Sequence, residues 1–592
     1  MMKHLLTLLL GLILGLSGFS QDQSKITPKE ILGHIEFLAS DSLKGRGTGT
    51  PESFIAAGYI RDQFKSADLN LLGENGMQYF ELVADIELGE KNSFTTGELK
   101  GKLGEDFTPL PFSSNGKIEA EVVFAGFGFE INNDSLKWND YQNIDVKGKW
   151  VLILRGSPEA EKPTGKFDAF VDERYKVLTA KDKEAAGVIF VSGEKFDADD
   201  KLLKLSYDKS AANAGIPVLQ IKRTLVEPIF AASGKSLVQV ESDIITNQTS
   251  MSFSTGSTVS AQTDIIQKMV KTQNVIAFIQ GSDPVLKDQY ILIGAHYDHL
   301  GFGGPGSGSR MPDTVAPHYG ADDNASGVAG VIELAEKLAS EKNNLRRSII
   351  FMAFGAEEMG LVGSKYFTEN PLIPLNEIEA MINFDMIGRL KENNSITVGG
   401  TGTSSESEEI LNILATKTKL VMKYSPEGYG PSDHAAFYTS NIPVFYFTTG
   451  AHEDYHTPFD KPEAINAEGE TMLVELAGML VTEIANRQDL LSYKEAGPKN
   501  QAKQGYNFKV TFGIMPDVTS SENNGLGVDG VRKGGPAEIG GVKKGDRIVA
   551  IDGKPVTNIY EYMGRLKTLE AGQRVSVDII RDGKKEVLIL QL

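Results

Sequence analysis

Long hydrophobic runs in the second half of the chain alternate with amphipathic segments. We predict strands at residues 289–295, 347–354, 379–384 and 442–448, because near-continuous apolar runs suit strands that are buried on both faces. Helical spacing of apolar residues marks segments 328–338, 406–417 and 471–485. This alternation predicts an α/β domain with a doubly wound, mostly parallel sheet.

The remaining hydrophobic patterns predict three further regions. Two helices are expected within residues 27–64, divided by a break at 42–51. Short β-branched runs at 122–125, 150–154, 187–191 and 216–219, with one helix near 174–186, predict a compact α+β module. A strand-rich region with one helix at 559–566 ends the chain.

These patterns divide the chain into segments. The α/β domain is predicted to comprise residues 21–118 and 265–488, with an inserted domain at 119–264. A polar linker at 489–504 precedes a C-terminal domain at 505–592.

The first residues resemble a signal peptide. Lys3 and His4 precede an apolar run from Leu5 to Leu16, and residues 18–20 offer small side chains before a predicted cleavage at Gln21. The run is shorter than the roughly 20 residues of a membrane span, so we expect export to the periplasm or the extracellular space without a transmembrane anchor after cleavage. An uncleaved anchor is the alternative.

Composition narrows the possible partners and metal ligands. The chain has 60 Lys and Arg against 79 Asp and Glu, a formal net charge of −19, which argues against nucleic acid and anionic membranes as partners. It contains no cysteine, so any metal site must use His, Asp and Glu. This excludes sulfur-rich structural zinc sites and leaves the ligand types of catalytic metals.

Potential metal ligands follow each predicted buried strand. Since ligands bind at the carboxyl ends of strands in open α/β sheets, these side chains are expected to converge. A site for two divalent ions needs terminal imidazoles and carboxylates and one bridging carboxylate. The predicted ligands are His296, Asp323, Glu358, Asp385 and His456.

Two further acidic residues adjoin these ligands. Glu357 precedes Glu358 and is the candidate general base for a water molecule in the site. Asp298 lies two residues after His296 and is expected to orient its imidazole.

The ligand segments resemble the co-catalytic zinc aminopeptidases. That clan includes leucyl aminopeptidases, glutamate carboxypeptidase and the transferrin receptor. The resemblance rests on the segments His296-Tyr297-Asp298, GADDNASG at 320–327, Glu357-Glu358, NFDMIG at 383–388 and His456-Thr457.

The resemblance implies a zinc exopeptidase fold, two zinc ions per chain and peptide substrates. One zinc would take His296, Asp323 and Asp385. The other would take Asp323, Glu358 and His456, so that Asp323 bridges.

Substrate contacts are expected from two neighbouring segments. Tyr455 precedes a ligand, and residues 428–434, which include Tyr429 and His434, lie near the active edge in the family. Tyr455 or a donor near His434 would stabilise an oxyanion. An ordinary glycine-rich turn before a helix is the alternative for 428–434. The glycine-rich stretch 301–308 is expected to rim the pocket, with a flexible connector as its alternative.

Both accessory regions also resemble known domains. DVKGKWVLI at 145–153 and AAGVIF at 185–190 resemble the protease-associated domain. GGPAE at 534–538 and GGVKKGDRI at 540–548 resemble a bacterial PDZ domain, with Phe512, Gly513 and Ile514 as its carboxylate loop. Such a domain would bind protein or peptide C-termini by strand addition. A spacer that binds no ligand is the alternative.

The combined features predict a metallo-exopeptidase that hydrolyses N-terminal residues from peptides. A glutaminyl-peptide cyclase-like acyltransferase shares the fold and is one alternative. A non-catalytic peptide-binding scaffold is another. The complete ligand set and Glu357 favour hydrolysis.

Overall fold

The computed structural model describes residues 25–133, 135–159, 165–207, 212–497, 509–517, 523–532 and 534–592. The predicted signal peptide and part of the predicted linker lie outside the described residues. Among the described helices, none has both the length and the hydropathy that a bilayer span requires.

The first sheet has nine strands and a parallel core. Its strands, numbered in chain order, are β1 (Asn70–Leu71), β2 (Met77–Leu88), β13 (Ile265–Ile279), β14 (Tyr290–His296), β15 (Ser348–Phe354), β16 (Ile378–Phe384), β17 (Ser395–Gly399), β18 (Val421–Tyr424) and β19 (Val444–Thr448). The central strands β15, β14, β16 and β19 are parallel neighbours. They are the four strands that the hydrophobic runs predict. Antiparallel pairing of β13 with β15 and of β17 with β19 makes the whole sheet mixed.

Helices cover both faces of this sheet. They are α1 (Pro28–Leu38), α2 (Pro51–Ser66), α6 (Gly327–Ser340), α7 (Val362–Glu369), α8 (Ser407–Ala415), α9 (His434–Thr439) and α10 (Ala467–Asn486). One buried cluster joins α1, α2, α6, α8 and α10 to the sheet, and another joins α7 and α9 to it. Thr27 and Thr50 cap α1 and α2, and a proline follows each cap, as is typical of helix starts. The predicted doubly wound α/β architecture is thus confirmed.

The second sheet has eight strands and belongs to the inserted module. Its strands are β3 (Ser93–Thr96), β4 (Leu99–Gly101), β5 (Phe107–Pro109), β6 (Gly116–Ala125), β9 (Trp150–Leu154), β10 (Gly187–Val191), β11 (Val218–Ile221) and β12 (Ser252–Thr263). The module also contains the ribbon β7 (Glu130–Asn132) and β8 (Lys137–Asn139), and helices α3 (Glu173–Asp182), α4 (Arg223–Phe230) and α5 (Leu237–Asn247).

The inserted sheet begins before the predicted boundary at residue 119. Strands β3, β4 and β5 lie in the segment that the sequence assigned to the α/β domain. However, β3 pairs with β12 and with β4, and β5 pairs with β11. The pairings of β3 with β12 and of β5 with β11 join strands far apart in sequence, so local patterns did not indicate them. The antiparallel pair of β2 and β13 connects the two sheets.

The third sheet is antiparallel and forms the C-terminal module. Its strands are β20 (Ile514–Pro516), β21 (Leu526–Val531), β22 (Arg547–Ile551), β23 (Lys554–Pro555), β24 (Arg574–Arg581) and β25 (Lys584–Gln591), with helices α11 (Pro536–Ile539) and α12 (Ile559–Leu566).

Helix α12 of the C-terminal module packs on helix α3 of the inserted module. The guanidinium of Arg565 donates to both carboxylate oxygens of Asp182, one of them at 2.8 Å. The Nζ atom of Lys181 donates to Glu561 at 2.6 Å. Arg565 and Glu561 are buried, whereas their partners Asp182 and Lys181 remain partly accessible to solvent. The C-terminal module is therefore docked and not held by its linker alone.

We predict that Asp182→Lys weakens this docking and lowers thermal stability. The substitution leaves the buried Arg565 guanidinium facing a like charge, and losing a charged hydrogen bond costs about 2 kcal/mol. The reversed pair Asp182→Arg with Arg565→Asp is expected to recover part of the loss. Calorimetric unfolding of the variants tests this.

Lys509→Ala is the matched control for this prediction. It removes an exposed pair with Glu570 inside the C-terminal module, which contributes little to stability. Equal melting temperatures for Asp182→Lys and Lys509→Ala would contradict the importance of the docking contact.

Candidate metal centre

The parallel register brings the predicted ligands to one edge of the first sheet. His296 ends β14 opposite Phe354 at the end of β15, and Gly294 of β14 lies opposite Asn383 of β16. Because the strands run parallel, the segments that follow them emerge side by side. Those segments carry Glu357, Glu358 and Asp385.

One group of candidate ligands contains His296, Asp323 and Asp385. The Nε2 atom of His296 lies 3.3 Å from Asp323 Oδ1 and 3.7 Å from Asp385 Oδ1. All three side chains are buried, and their ligand atoms lie within 4.8 Å of one another. An imidazole and two carboxylates at this spacing can hold one divalent ion.

A second group forms around the other oxygen of Asp323. The Nε2 atom of His456 lies 3.2 Å from Asp323 Oδ2 and 3.3 Å from Glu358 Oε1. The Nδ1 atom of His299 lies 2.8 Å from the same Glu358 oxygen and 3.7 Å from Asp323 Oδ2. Asp323 is therefore common to both groups, and all five sequence-predicted ligands lie together.

His299 is a candidate that the sequence analysis missed. Its ligand atom lies within 4.8 Å of those of Asp323 and Glu358. Its position three residues after His296 in the same strand-end segment was the available signal. Among the described residues, its buried Nε2 atom has no hydrogen-bond partner. Gly320, with φ +57°, makes room for this ring, since a Cβ there would lie 2.6 Å from it.

Asp298 connects several parts of the centre. Its main-chain carbonyl lies 3.1 Å from Nδ1 of His296, and its carboxylate is 3.9 Å from the same atom. The carboxylate instead accepts hydrogen bonds from Thr48 Oγ1 at 2.7 Å and from the backbone N–H of Glu357 at 3.0 Å. Asp298 therefore contacts His296 through its backbone and holds Glu357 through its side chain.

A buried carboxylate braces the turn that carries Asp323. Asp460 accepts hydrogen bonds from the backbone N–H groups of Asp322 and Asp323, at 2.9 and 3.0 Å. Asp322 Oδ1 in turn accepts from the N–H of Gly388 at 2.7 Å. Asp322 thus links two loops, which agrees with the choice of Asp323 as the ligand.

The glycine-rich segment 301–308 contacts the centre. The carbonyl oxygen of Gly308 lies 3.0 Å from Nδ1 of His456, which directs Nε2 toward the carboxylates. Residues 305–307 line a cleft with a volume of about 430 Å³ that reaches His299 and Glu358. The segment therefore rims the pocket, as expected.

The turns beside the ligands contain left-handed backbone at non-glycine residues. Ala356, Met386 and His456 have φ values of +59°, +58° and +56°. Such conformations cost energy and tend to occur at functional sites, where the surrounding structure holds them. Ala356 and Met386 turn the chain shortly after β15 and β16, and His456 is itself a candidate ligand.

The carboxylates and imidazoles strongly perturb each other. Burial opposes ionisation of Glu358, and Asp323 repels it, but hydrogen bonds from His299 and His456 lower the pKa of Glu358 to about 2. Burial likewise opposes protonation of His456, yet Asp323 and Glu358 raise its pKa to about 10. The centre thus favours positive charge between its carboxylates, which is what a divalent cation supplies.

Two other carboxyl groups favour the protonated form. Burial raises the pKa of Glu357 well above its usual value, and Glu358 and Asp433 raise it further. Burial also raises the pKa of Asp433 to about 7. Asp433 was not singled out by the sequence analysis, although it precedes His434. Bound cations would lower both pKa values by electrostatic attraction.

The predicted substrate residues occupy different surroundings. Tyr455 stacks on the candidate ligand His456, with ring centroids 3.9 Å apart. His434 is buried and stacks on Tyr446 at 4.4 Å, and burial lowers its pKa to about 3, so its imidazole is neutral. Tyr429 packs against the cluster that joins α7 and α9 to the sheet. Of the three, Tyr455 has the direct contact with a ligand.

Three parts of the chain match known families. Residues 274–481 match Peptidase family M28, residues 118–229 match the PA domain and residues 512–592 match the PDZ domain.

Curated relatives are similar over most of the chain. Aminopeptidase YwaD of Bacillus subtilis is 28% identical over 396 residues, which cover 65% of this chain and 70% of the relative. An aminopeptidase of Pseudomonas aeruginosa is 27% identical over 437 residues, which cover 71% and 69%. The solved structure of an aminopeptidase from Aneurinibacillus sp. strain AM-1 aligns with a TM-score of 0.47 and 22% identity, over 80% of this chain and 96% of that one.

We predict that Asp323→Ala retains less metal than His296→Ala or His456→Ala. Asp323 contacts both candidate ligand groups, so its loss would remove a ligand from each and would leave cations bound there with less neutralisation. Elemental analysis of the purified variants measures the retained metal. Equal loss in all three variants would contradict a bridging carboxylate. A loss from His299→Ala equal to that from His456→Ala would assign His299 as a further ligand.

Proposed function

We propose that this chain, which belongs to Peptidase family M28 and carries a PA domain and a PDZ domain, is an aminopeptidase that uses two zinc ions and Glu357 as general base. The observation that carries the proposal is the position of Asp323, which contacts two imidazole–carboxylate groups at once. The relatives named aminopeptidase support removal of N-terminal residues from peptides.

The side chains present fit zinc. Imidazole and carboxylate ligands, without sulfur, are typical of catalytic zinc sites. His296, Asp323 and Asp385 would hold one ion, and Asp323, Glu358 and His456 the other. When bound, the ions supply Lewis acidity toward the scissile carbonyl and lower the pKa of water.

Glu357 is suited to move the proton. Its Oε2 atom lies 3.9 Å from His296 Nε2, so the carboxylate faces the ligand cluster without belonging to either ligand group. The hydrogen bond from its N–H to Asp298 fixes its backbone. We infer that Glu357 takes a proton from the attacking water and delivers it to the leaving amine. Tyr455, stacked on His456, is the candidate donor to the oxyanion.

Glutaminyl cyclisation is the alternative activity for this fold. A panel of aminoacyl anilides and N-terminal glutaminyl peptides distinguishes the two activities. Release of free amino acids from the panel supports the aminopeptidase. Cyclised N-termini without release would support the acyltransferase.

We predict that Glu357→Gln abolishes turnover but leaves metal content near that of the wild type. Loss of a general base lowers kcat by about 10²–10⁴-fold. Steady-state kinetics and elemental analysis of the same preparation measure both properties. Glu358→Gln is the matched control, because it changes the adjacent carboxylate and should lose metal. Near-normal kcat in Glu357→Gln would refute its role.

The C-terminal module is proposed to bind peptide C-termini. Phe512 and Gly513 precede the edge strand β20, which begins at Ile514 and pairs with β21 alone in the described part of the sheet. Gly513 has φ +74°, and its carbonyl accepts the N–H of Arg532 at 2.7 Å. A Cβ at Gly513 would lie 3.7 Å from Arg532 Nε, so this guanidinium is beside the loop. A cation there suits a carboxylate.

We predict that a fluorescent peptide ending in Val or Leu binds the full chain more tightly than its C-terminally amidated form. Both amidation and Arg532→Ala should weaken binding about tenfold, which corresponds to about 1.4 kcal/mol. Fluorescence anisotropy measures the affinities. Lys585→Ala, an exposed cation on β25, is the control. Indifference to amidation would contradict carboxylate recognition.

Export is proposed from the hydrophobic N-terminal run alone. Protein from its native secretion route should begin at Gln21.

A further inference from the structure

A second cavity adjoins the metal cleft. It has a volume of about 420 Å³ and shares Ile86 and Tyr207 with the cleft that reaches His299 and Glu358. Its other walls include Ser113, Ser114, Asn115, Gln267 and Asn213. The two cavities therefore lie side by side, between the first sheet and the inserted module.

We propose that this second cavity binds the part of a substrate peptide downstream of the scissile bond. The inference rests on the proposed aminopeptidase function, and it deepens that function by naming extended peptides as the preferred substrates. A peptide whose N-terminal residue lies at the metal centre must extend away from it, and the second cavity adjoins the cleft at the shared lining residues Ile86 and Tyr207.

The lining chemistry fits a peptide main chain. The described lining residues of the second cavity include hydroxyl and amide side chains and no charged side chain. Such a surface offers donors and acceptors to peptide groups without selecting one side-chain charge. The site should therefore favour length over a particular sequence.

The β2–β13 pair supplies a rigid wall. Ile86 lies directly opposite Gln267 in the antiparallel register, so both side chains point to the same face. Asn115 closes the base of this wall, because its amide exchanges hydrogen bonds with the main chain of Ile265 at 2.8 and 2.7 Å. The wall is thus preformed.

The C-terminal module holds another lining residue of the second cavity, Asn213. The N–H of Asn213 donates to Asn523 Oδ1 at 3.2 Å, and its carbonyl accepts from Asn558 Nδ2 at 2.9 Å. Asn523 and Asn558 both belong to the C-terminal module. A peptide in the second cavity would therefore lie beside that module.

An arginine holds the neighbouring lining residue, Ala212. Arg174 Nη1 donates to the carbonyl of Ala212 at 3.1 Å. Its guanidinium lies 4.3 Å from the ring of Phe112 and 3.7 Å from the ring of Tyr560. The three modules thus meet at the second cavity.

A peptide ladder with one N-terminal residue tests the inference. The series runs from dipeptides to peptides of about ten residues, and the longest of these spans roughly 30 Å when extended. In the wild type, kcat/KM should rise with length and then reach a plateau. Gln267→Trp fills the second cavity and should raise KM for the longest peptides about tenfold, with kcat and anilide hydrolysis unchanged.

Ile266→Trp is the matched control. Ile266 is the neighbouring residue on β13 and is exposed on the opposite face. A tryptophan side chain there should leave the dependence of kcat/KM on peptide length unchanged. Identical ladders for the two variants would overturn the inference.

Asn558→Asp tests whether the C-terminal module holds Asn213 in place at the second cavity. The Oδ1 atom of Asn558 caps α12, and aspartate keeps that cap. Its Nδ2 donor to Asn213 is lost, so KM should rise for long peptides and not for anilides.

The outcomes separate two failures. No hydrolysis of any short substrate would refute the proposed function. Normal anilide hydrolysis, with a kcat/KM that does not change with peptide length, would refute peptide binding in the second cavity and leave the proposed function standing.

Discussion

The structure depends on bringing several acidic side chains into one buried place. Asp323, Glu357 and Asp385 surround His296 at the edge of the first sheet, and Glu358 lies beside His299 and His456. Carboxylates this close repel one another, and burial adds a desolvation penalty. Their mutual arrangement is tolerable only with compensating positive charge. The imidazoles provide part of it, and the ligand geometry suits divalent ions for the rest.

A framework of buried hydrogen bonds holds these repelling groups. Arg46 is fully buried, and its guanidinium donates to the carbonyls of Leu38, Tyr297, Tyr319 and Gly320. It thereby joins the end of α1 to two of the loops that carry candidate ligands, the one after His296 and the one before Asp323. Burial lowers the pKa of Arg46 to about 10, which still leaves it charged at neutral pH. Such rigidity lets a site keep ligand geometry against electrostatic repulsion.

Long antiparallel strands relate this centre to the other modules. β2 and β13 pair in the first sheet, and β12, which directly precedes β13 in the chain, belongs to the inserted sheet. Helix α3 of the inserted module in turn packs against helix α12 of the C-terminal module. The cleft is consequently bounded by elements from distant parts of the sequence, and its dimensions depend on how the modules dock.

The sequence by itself determined the strands of the parallel core and predicted candidate metal ligands at their ends, because near-continuous apolar runs and strand-end polar residues are local signals. Motif resemblance added support for Asp323 and His456 as candidates. Only the tertiary structure decided that β3 to β5 join the inserted sheet and that His299 turns toward Glu358. It also decided that Asn558 reaches Asn213. Pairing and docking are contacts between distant segments, and their free energy depends on surfaces that exist only after folding.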